Sequence, residues 1–182
     1  MLAAALTLTG VTGTTAAFAG KHPSNPTVGG AAMLPAKNIV QNASAAPNLT
    51  TLVAAVKAAG LVDTLMTAGP FTVFAPTNTA FEKLPDGTVG ALVMPENKAT
   101  LTKILTYHVV AGKLSAKNIV AAIRQGGGSA TLTTVAGEPL TARLSGNSIV
   151  ITDGKGGQSA VTTADVRQSN GVVHVIDSVL LP

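Results

Sequence analysis

Residues 72–84 read Thr-Val-Phe-Ala-Pro-Thr-Asn-Thr-Ala-Phe-Glu-Lys-Leu, and the change of pattern inside this stretch decides the fold. The β-branched and aromatic run at 71–75 predicts a strand, and its apolar side chains point both ways, so both faces should be covered. Pro76 lacks the N–H that a ladder needs, so the strand should end there. Asn78 or Thr79 can then cap a short helix. The stretch therefore predicts a buried strand that leads directly into a helix.

Helical periodicity lies on both sides of this stretch. Asn48 precedes apolar residues at spacings of three and four and Gly60 follows them, which predicts a helix with an N-cap and a C-terminal stop. A shorter helix is predicted over 61–67 and another over about 98–107. Ser115 can cap one more helix. The chain up to about residue 125 should therefore be mainly helical.

The period changes to two after three consecutive glycines at 126–128. Five short strands are predicted, near 130–135, 139–144, 148–152, 159–163 and 171–177. Gly and Asn pairs that favour hairpin turns separate several of them. A helical first half followed by a meander of strands predicts an α+β domain.

Two further stretches occur in order after the first. They are Tyr107-His-Val-Val-Ala-Gly-Lys-Leu114 and Asn170-Gly-Val-Val-His-Val-Ile-Asp-Ser-Val-Leu-Leu-Pro182. Together the three stretches resemble the fasciclin (FAS1) domain, and the resemblance covers roughly residues 36–182. It implies a wedge of two mostly antiparallel β-sheets with helices packed at one side. A single exported copy is similar to the bacterial members of this family.

The resemblance also implies a function and site residues. Fasciclin domains are chiefly extracellular or cell-surface modules that bind proteins, matrix or cells, and most have no catalytic activity. In animal relatives a Tyr-His pair is tied to integrin-dependent adhesion, which carries a partner-binding role to Tyr107 and His108. An Asp-Ile pair has a similar role there, and Asp165-Val166 matches it here. The match is incomplete because Arg167 follows instead of an apolar residue.

Tyr107 and His108 should differ in exposure. His108 falls on the apolar stripe of its predicted helix, where a histidine is expected to be buried and bonded to a backbone carbonyl. Tyr107 lies about 100° around the same helix, where its ring should be partly exposed and its hydroxyl hydrated. We therefore expect Tyr107→Ala to weaken partner binding without changing the thermal melt.

Composition limits the classes of function. The chain has 182 residues, of which 46% are hydrophobic and 11% charged, enough for one domain with a real core. Aromatic residues make up 3%, and the net charge of +4 comes from scattered basic side chains, so no nucleic-acid partner is predicted. The absence of cysteine excludes disulfides, thiolate nucleophiles and cysteine-ligated metals.

No catalytic constellation is predicted. His174 and Asp177 lie three apart on a strand and face opposite sides, so they cannot share a metal or a proton. The glycine-rich run 153–157 lacks the spacing of a phosphate loop and is interpreted as a turn. We therefore predict no enzyme, no cofactor and no metal site.

The N-terminal residues predict export. Residues 1–19 carry no charge and end in Ala17-Phe18-Ala19, which is typical of a signal peptide, although its basic n-region is incomplete. A flexible linker is predicted over 20–36 because proline and glycine are frequent there, and the fasciclin domain over 37–182. No apolar run is long enough to predict a membrane span. The expected location is secreted or periplasmic.

Three functions stay open at this point. The first is an exported, non-enzymatic module for cell adhesion or for binding an extracellular protein, matrix or cell-surface component. The second is a carrier of an apolar ligand such as a carotenoid, which some fasciclin-domain proteins bind, in a groove between helices and sheet. The third is a structural domain that only self-associates weakly.

Overall fold

The computed structural model of the chain describes residues 25–182. The helices are α1 Ile39–Ala45, α2 Thr50–Ala59, α3 Val62–Met66, α4 Asn78–Glu82, α5 Thr88–Leu92, a 3-10 helix Pro95–Asn97, α6 Lys98–Tyr107 and α7 Ala116–Gln125. The strands are β1 Thr27–Val28, β2 Ala31–Ala32, β3 Phe71–Pro76, β4 Val109–Ala111, β5 Ser129–Thr133, β6 Pro139–Ser145, β7 Ser148–Thr152, β8 Gln158–Gln168 and β9 Gly171–Ile176. The α+β class is confirmed.

Seven strands form one curved, mixed sheet in the order β4-β3-β9-β8-β7-β6-β5. All neighbours are antiparallel except β3 and β9, which run parallel. The two ends of the sheet approach each other, because Val110 bridges to Thr134 and the Val135 N–H donates to the Val109 carbonyl at 2.7 Å. The result is a nearly closed barrel.

The predicted pair of mostly antiparallel sheets is therefore wrong in its details. Strand β8 is the physical reason, because its first residues pair with β7 and most of its length pairs with β9. Its pairing with β9 shifts register between Val161 and Thr163 and again between Thr163 and Val166. Such bulges bend a strand and increase its twist, so one sheet can curl round instead of dividing into two.

The core has two parts, one on each side of β3 and β9. The first lies between these strands and helices α1, α2, α3 and α6, with Leu52, Val73 and Leu105 among its members. The second fills the barrel and covers it with α7, and it includes Phe74, Leu140 and Ile151. All six residues of β9 are buried, so the prediction that both faces of the central strands are covered is confirmed.

Helix caps follow the sequence only in part. Ser115 caps α7 as predicted, accepting from the Asn118 N–H. Helix α4 is capped by Thr77, not by Asn78 or Thr79 as predicted. Asn48 does not cap α2, because Leu49 occupies the N-cap position without a side-chain bond.

The prediction of a flexible linker over 20–36 is wrong for residues 27–33. Strands β1 and β2 pair in a small hairpin, and Val28 and Met33 are buried in the first core. The Asn25 side chain makes two hydrogen bonds to strand β8. It accepts from the Arg167 N–H at 3.0 Å and donates to the Arg167 carbonyl. Sequence composition could not reveal this, because part of the surface that holds the hairpin lies far along the chain, and Asn25 and Arg167 are 142 positions apart. The predicted signal peptide lies outside the described residues.

No helix within residues 25–182 has both the length and the apolar content needed to cross a bilayer.

Candidate functional site

Tyr107 ends helix α6 and is completely buried, with 0% of its surface exposed. Its hydroxyl donates to the Pro139 carbonyl at 3.2 Å and accepts from the Gly154 N–H at 2.8 Å. Burial raises the pKa of this phenol above its usual value. The predicted partial exposure of Tyr107 is therefore wrong, because the β7–β8 turn and β6 build a second wall over a ring that the helix alone would leave open.

His108 follows Tyr107 as the C-cap of α6 and is also buried. Its Nδ1 lies 2.8 Å from the Ile104 carbonyl, and its Nε2 accepts from the Leu180 N–H at 3.0 Å. These partners require a neutral ring with the proton on Nδ1. Burial lowers the pKa of His108 to about 4, so the ring stays neutral in ordinary buffers. The predicted burial and carbonyl bond are confirmed.

Asp153 organises the turn that covers Tyr107. Its Oδ1 accepts from the N–H groups of Lys155 and Gly157, at 3.0 and 2.7 Å. Its Oδ2 accepts from the Leu181 N–H at 3.0 Å. The glycine-rich run is thus a turn, as predicted. We call the bonds from Leu180 to His108 and from Leu181 to Asp153 the C-terminal latch.

Asp165 lies in an irregular part of β8 with φ of +58°, a left-handed conformation that is rare outside glycine. Its carboxylate accepts from the Ala116 N–H at 2.7 Å, at the start of α7. Its own N–H donates to Nδ1 of His174 at 3.3 Å, and Nε2 of that ring donates to the Leu114 carbonyl at 2.8 Å. Asp165 and His174 therefore fix the segment that enters α7.

The four residues assigned to partner binding hold different parts of the fold. Tyr107 and His108 hold the turn at 153–157 and the C-terminus, whereas Asp165 holds the start of α7. Val166 is 1% exposed and packs in the first core. Direct contact with a partner is therefore closed to Tyr107, His108 and Val166 in this conformation, and Asp165 is half-buried.

Sequence analysis missed two asparagines that join distant segments. The Asn78 side chain accepts from the Thr51 N–H at 3.0 Å and donates to Thr50 and Pro47, so it caps α2 from 27 positions away. The Asn170 side chain accepts from the Ile39 N–H and donates to two carbonyls at the end of α3. Both asparagines lie in stretches that resemble the fasciclin domain, and this resemblance was the signal in the sequence that could have pointed to them.

The described part of the chain offers little room for a metal or an enclosed ligand. Among residues 25–182 no three His, Asp or Glu side chains come together in a way that could hold a metal ion. Three apolar cavities between the helices and the sheet measure about 30, 20 and 30 Å³. A cavity of this size holds about one water molecule, so none of these three has room for a rigid polyene in this conformation.

Comparison with known families agrees with this fold. The family model for the fasciclin domain matches residues 47–182. The chain belongs to the fasciclin domain family. Its fasciclin domain also aligns with a FAS1 domain pair from the insect cell adhesion molecule Fasciclin I, with a TM-score of 0.71 and 22% identity. That alignment covers 80% of this chain and 51% of the other, and it supports the fold alone.

Relatives of this fasciclin domain occur in other bacteria. Protein sll1483 of Synechocystis sp. is 50% identical over 147 residues, covering 81% of this chain and 74% of that protein. The immunogenic protein MPB70 of Mycobacterium bovis is 40% identical over 173 residues, covering 92% of this chain and 79% of that protein. The cell surface glycolipoprotein MPB83 of the same species is 34% identical, with coverage of 92% and 70%.

Proposed function

We propose that this fasciclin domain is an exported, non-enzymatic module that binds a protein, matrix or cell-surface partner outside the cell. The observation that carries the proposal is the inward direction of its chemically active side chains. Every polar side-chain atom of Tyr107, His108 and His174 is hydrogen-bonded to a backbone group of the same chain. Such a set builds a rigid frame, which suits a binding module better than a reaction site.

Family membership supports the same proposal. One relative is named an immunogenic protein and another a cell surface glycolipoprotein, so related chains are met by molecules outside their own cells. Secretion or periplasmic location of this chain is part of the proposal. The residues assigned to partner binding, Tyr107, His108, Asp165 and Val166, then act as positioning residues that hold the outer surface in shape.

Val93 and Met94 are the best contact candidates on that surface. They are 37% and 55% exposed and lie next to each other between α5 and the 3-10 helix. Neither helix contains a buried residue, while Val89 and Leu92 pack partly against the first core and anchor the segment. Two adjacent apolar side chains on an exposed segment offer a partner a contact area that loses its water on binding.

The test is retention by the immobilised protein. Cells of the source organism and its extracellular matrix are passed over wild type and over the double variant Val93→Asp, Met94→Asp. We expect wild type to retain a partner and the double variant to lose at least half of the retained amount. Circular dichroism should show the same melt for both proteins, because neither side chain is buried.

The matched control is Thr131→Asp, Thr133→Asp, which places two carboxylates on exposed positions of β5. This variant should retain the partner as wild type does. The proposal would be contradicted if immobilised wild type retained nothing from its own environment. It would also be contradicted if heat-unfolded protein retained as much as folded wild type.

A further inference from the structure

A surface groove runs between helices α1 and α2. It has a volume of about 250 Å³ and is lined by Ala43, Ser44, Thr50, Val53, Ala54 and Lys57. The four α2 residues are spaced three and four apart, so they form one stripe beside the buried face of the helix. From position 50 to 57 this stripe is roughly 10 Å long at the rise of an α-helix. Ala43, Ala54 and Val53 are small, which is why the helices leave a gap here.

The floor of the groove is also the wall of an apolar cavity. Ala43 and Val53 line both the groove and a cavity of about 30 Å³ inside the first core. That cavity shares Leu65, Leu105 and Val109 with the next one, which reaches Val135 on the other side of the helical layer. The cavities behind the groove are therefore lined almost wholly by apolar side chains.

The rim of the groove carries hydrogen-bond donors and a positive charge. Within residues 25–182 no carboxylate pairs with Lys57, whose ammonium is exposed. The Thr50 hydroxyl accepts from the Asn78 amide, which leaves its own proton to donate. A cationic rim above an apolar floor complements a molecule with a carboxylate at one end and a slender apolar tail.

We propose that this groove binds a free fatty acid, with the carboxylate at Lys57 and the acyl chain running over Val53 and Ala43 towards Thr50. The size of the groove favours one unbranched chain, because bulkier small molecules use sites of about 300–1,000 Å³. This site is independent of the Val93–Met94 surface and of the adhesion proposal.

Dodecanoic acid is the probe, titrated into the purified protein below its micelle concentration and followed by calorimetry. We expect saturable binding of one molecule per chain. Lys57→Gln should weaken dodecanoate binding about two- to fivefold, as expected for one exposed ion pair. Binding of dodecan-1-ol, which has the same tail without the charge, should be the same in wild type and Lys57→Gln.

Ala54→Leu tests the position of the tail. Ala54 is exposed, so a larger side chain there narrows the groove without entering the core. It should weaken binding of both the acid and the alcohol at least tenfold. Ala58→Leu, at another exposed position of the same helix, and Lys117→Gln are the matched controls and should bind as wild type.

Three results would overturn the proposal: no saturable binding of dodecanoate, equal binding by Ala54→Leu, or equal weakening of acid and alcohol by Lys57→Gln. A protein that binds phosphatidylcholine vesicles but not the free acid would also contradict it, since the site would then belong to a membrane. None of these results bears on retention by Val93 and Met94, so the two proposals can fail separately.

Discussion

At the scale of single residues, His108 makes stability depend on pH. Its pKa is about 4 in the fold, mainly because of burial, against an ordinary value of 6.5 in the unfolded chain. Between these values the unfolded state binds more protons, so stability should fall as pH falls from about 6.5 to about 4. The full loss from this group is about 3 kcal/mol. Urea unfolding at pH 7, 5.5 and 4.5 measures it.

His108→Gln is the control for that slope. Glutamine does not titrate in this range, so the variant should be less stable at pH 7 but should lose less stability on acidification. His174 adds a slope of the same sign, because burial lowers its pKa too, and this part should remain in the variant. Identical slopes for wild type and His108→Gln would show that His108 does not stay neutral in the fold.

Tyr107 can be followed directly, because it is the only tyrosine and the chain has no tryptophan. Burial raises its pKa, so absorbance at the tyrosinate band should rise at higher pH in the folded protein than in urea. Tyr107→Phe should cost about 1–3 kcal/mol, since it leaves the Gly154 N–H without its acceptor. Urea unfolding tests this, with the exposed substitution Thr131→Val expected to change little.

The two neighbours on α6 show what single-residue prediction can reach. The burial of His108 follows from the apolar stripe of its own helix. The burial of Tyr107 does not, because the groups that cover it come from Pro139 and the turn at Gly154, more than 30 positions away. Local periodicity identifies the buried face of one helix, but it carries no information about strands later in the chain that pack over another face.

At the scale of elements, the start of α2 offers a clear test. The sequence favours Asn48 as its cap, whereas the structure gives the Thr51 N–H to the side chain of Asn78. Asn78→Ala should therefore cost about 1–2 kcal/mol of unfolding free energy, the usual range for a lost cap. Asn48→Ala should cost less, because its Oδ1 is buried without a partner. If urea unfolding shows that Asn48→Ala costs more free energy than Asn78→Ala, then Asn48 and not Asn78 caps α2.

Element positions were predicted better than element partners. Helices α6 and α7 and strand β7 lie where local patterns placed them, because caps and periodicity are properties of neighbouring residues. Pairing is not local, so the parallel contact of β3 with β9 and the sharing of β8 could not be derived. The hairpin Thr27–Ala32 was missed because its two glycines and the prolines on either side of it are typical of a linker.

At the scale of the whole molecule, the C-terminal latch joins the end of the described chain to α6 and to the β7–β8 turn. Leu180 is 1% exposed and fills the second core, and its N–H and that of Leu181 satisfy His108 and Asp153. A chain ending at Val179 should lose roughly 3–5 kcal/mol or more, because it loses a buried leucine and orphans two acceptors.

Leu180→Ala separates the two contributions to the latch. It keeps both backbone donors and loses only side-chain packing, so it should cost about 2–5 kcal/mol and less than the truncation. Midpoints of urea unfolding give the comparison. A truncated chain as stable as wild type would show that the latch does not stabilise the fold.

The parallel pairing of β3 and β9 sets Phe71 opposite Gly171, a separation of 100 positions. Domains dominated by such distant contacts fold slowly, on a scale of milliseconds to seconds. The inner edge of β3 has no partner strand until residues 171–176 have been made. The central sheet of a nascent chain therefore stays incomplete until β9 has left the ribosome.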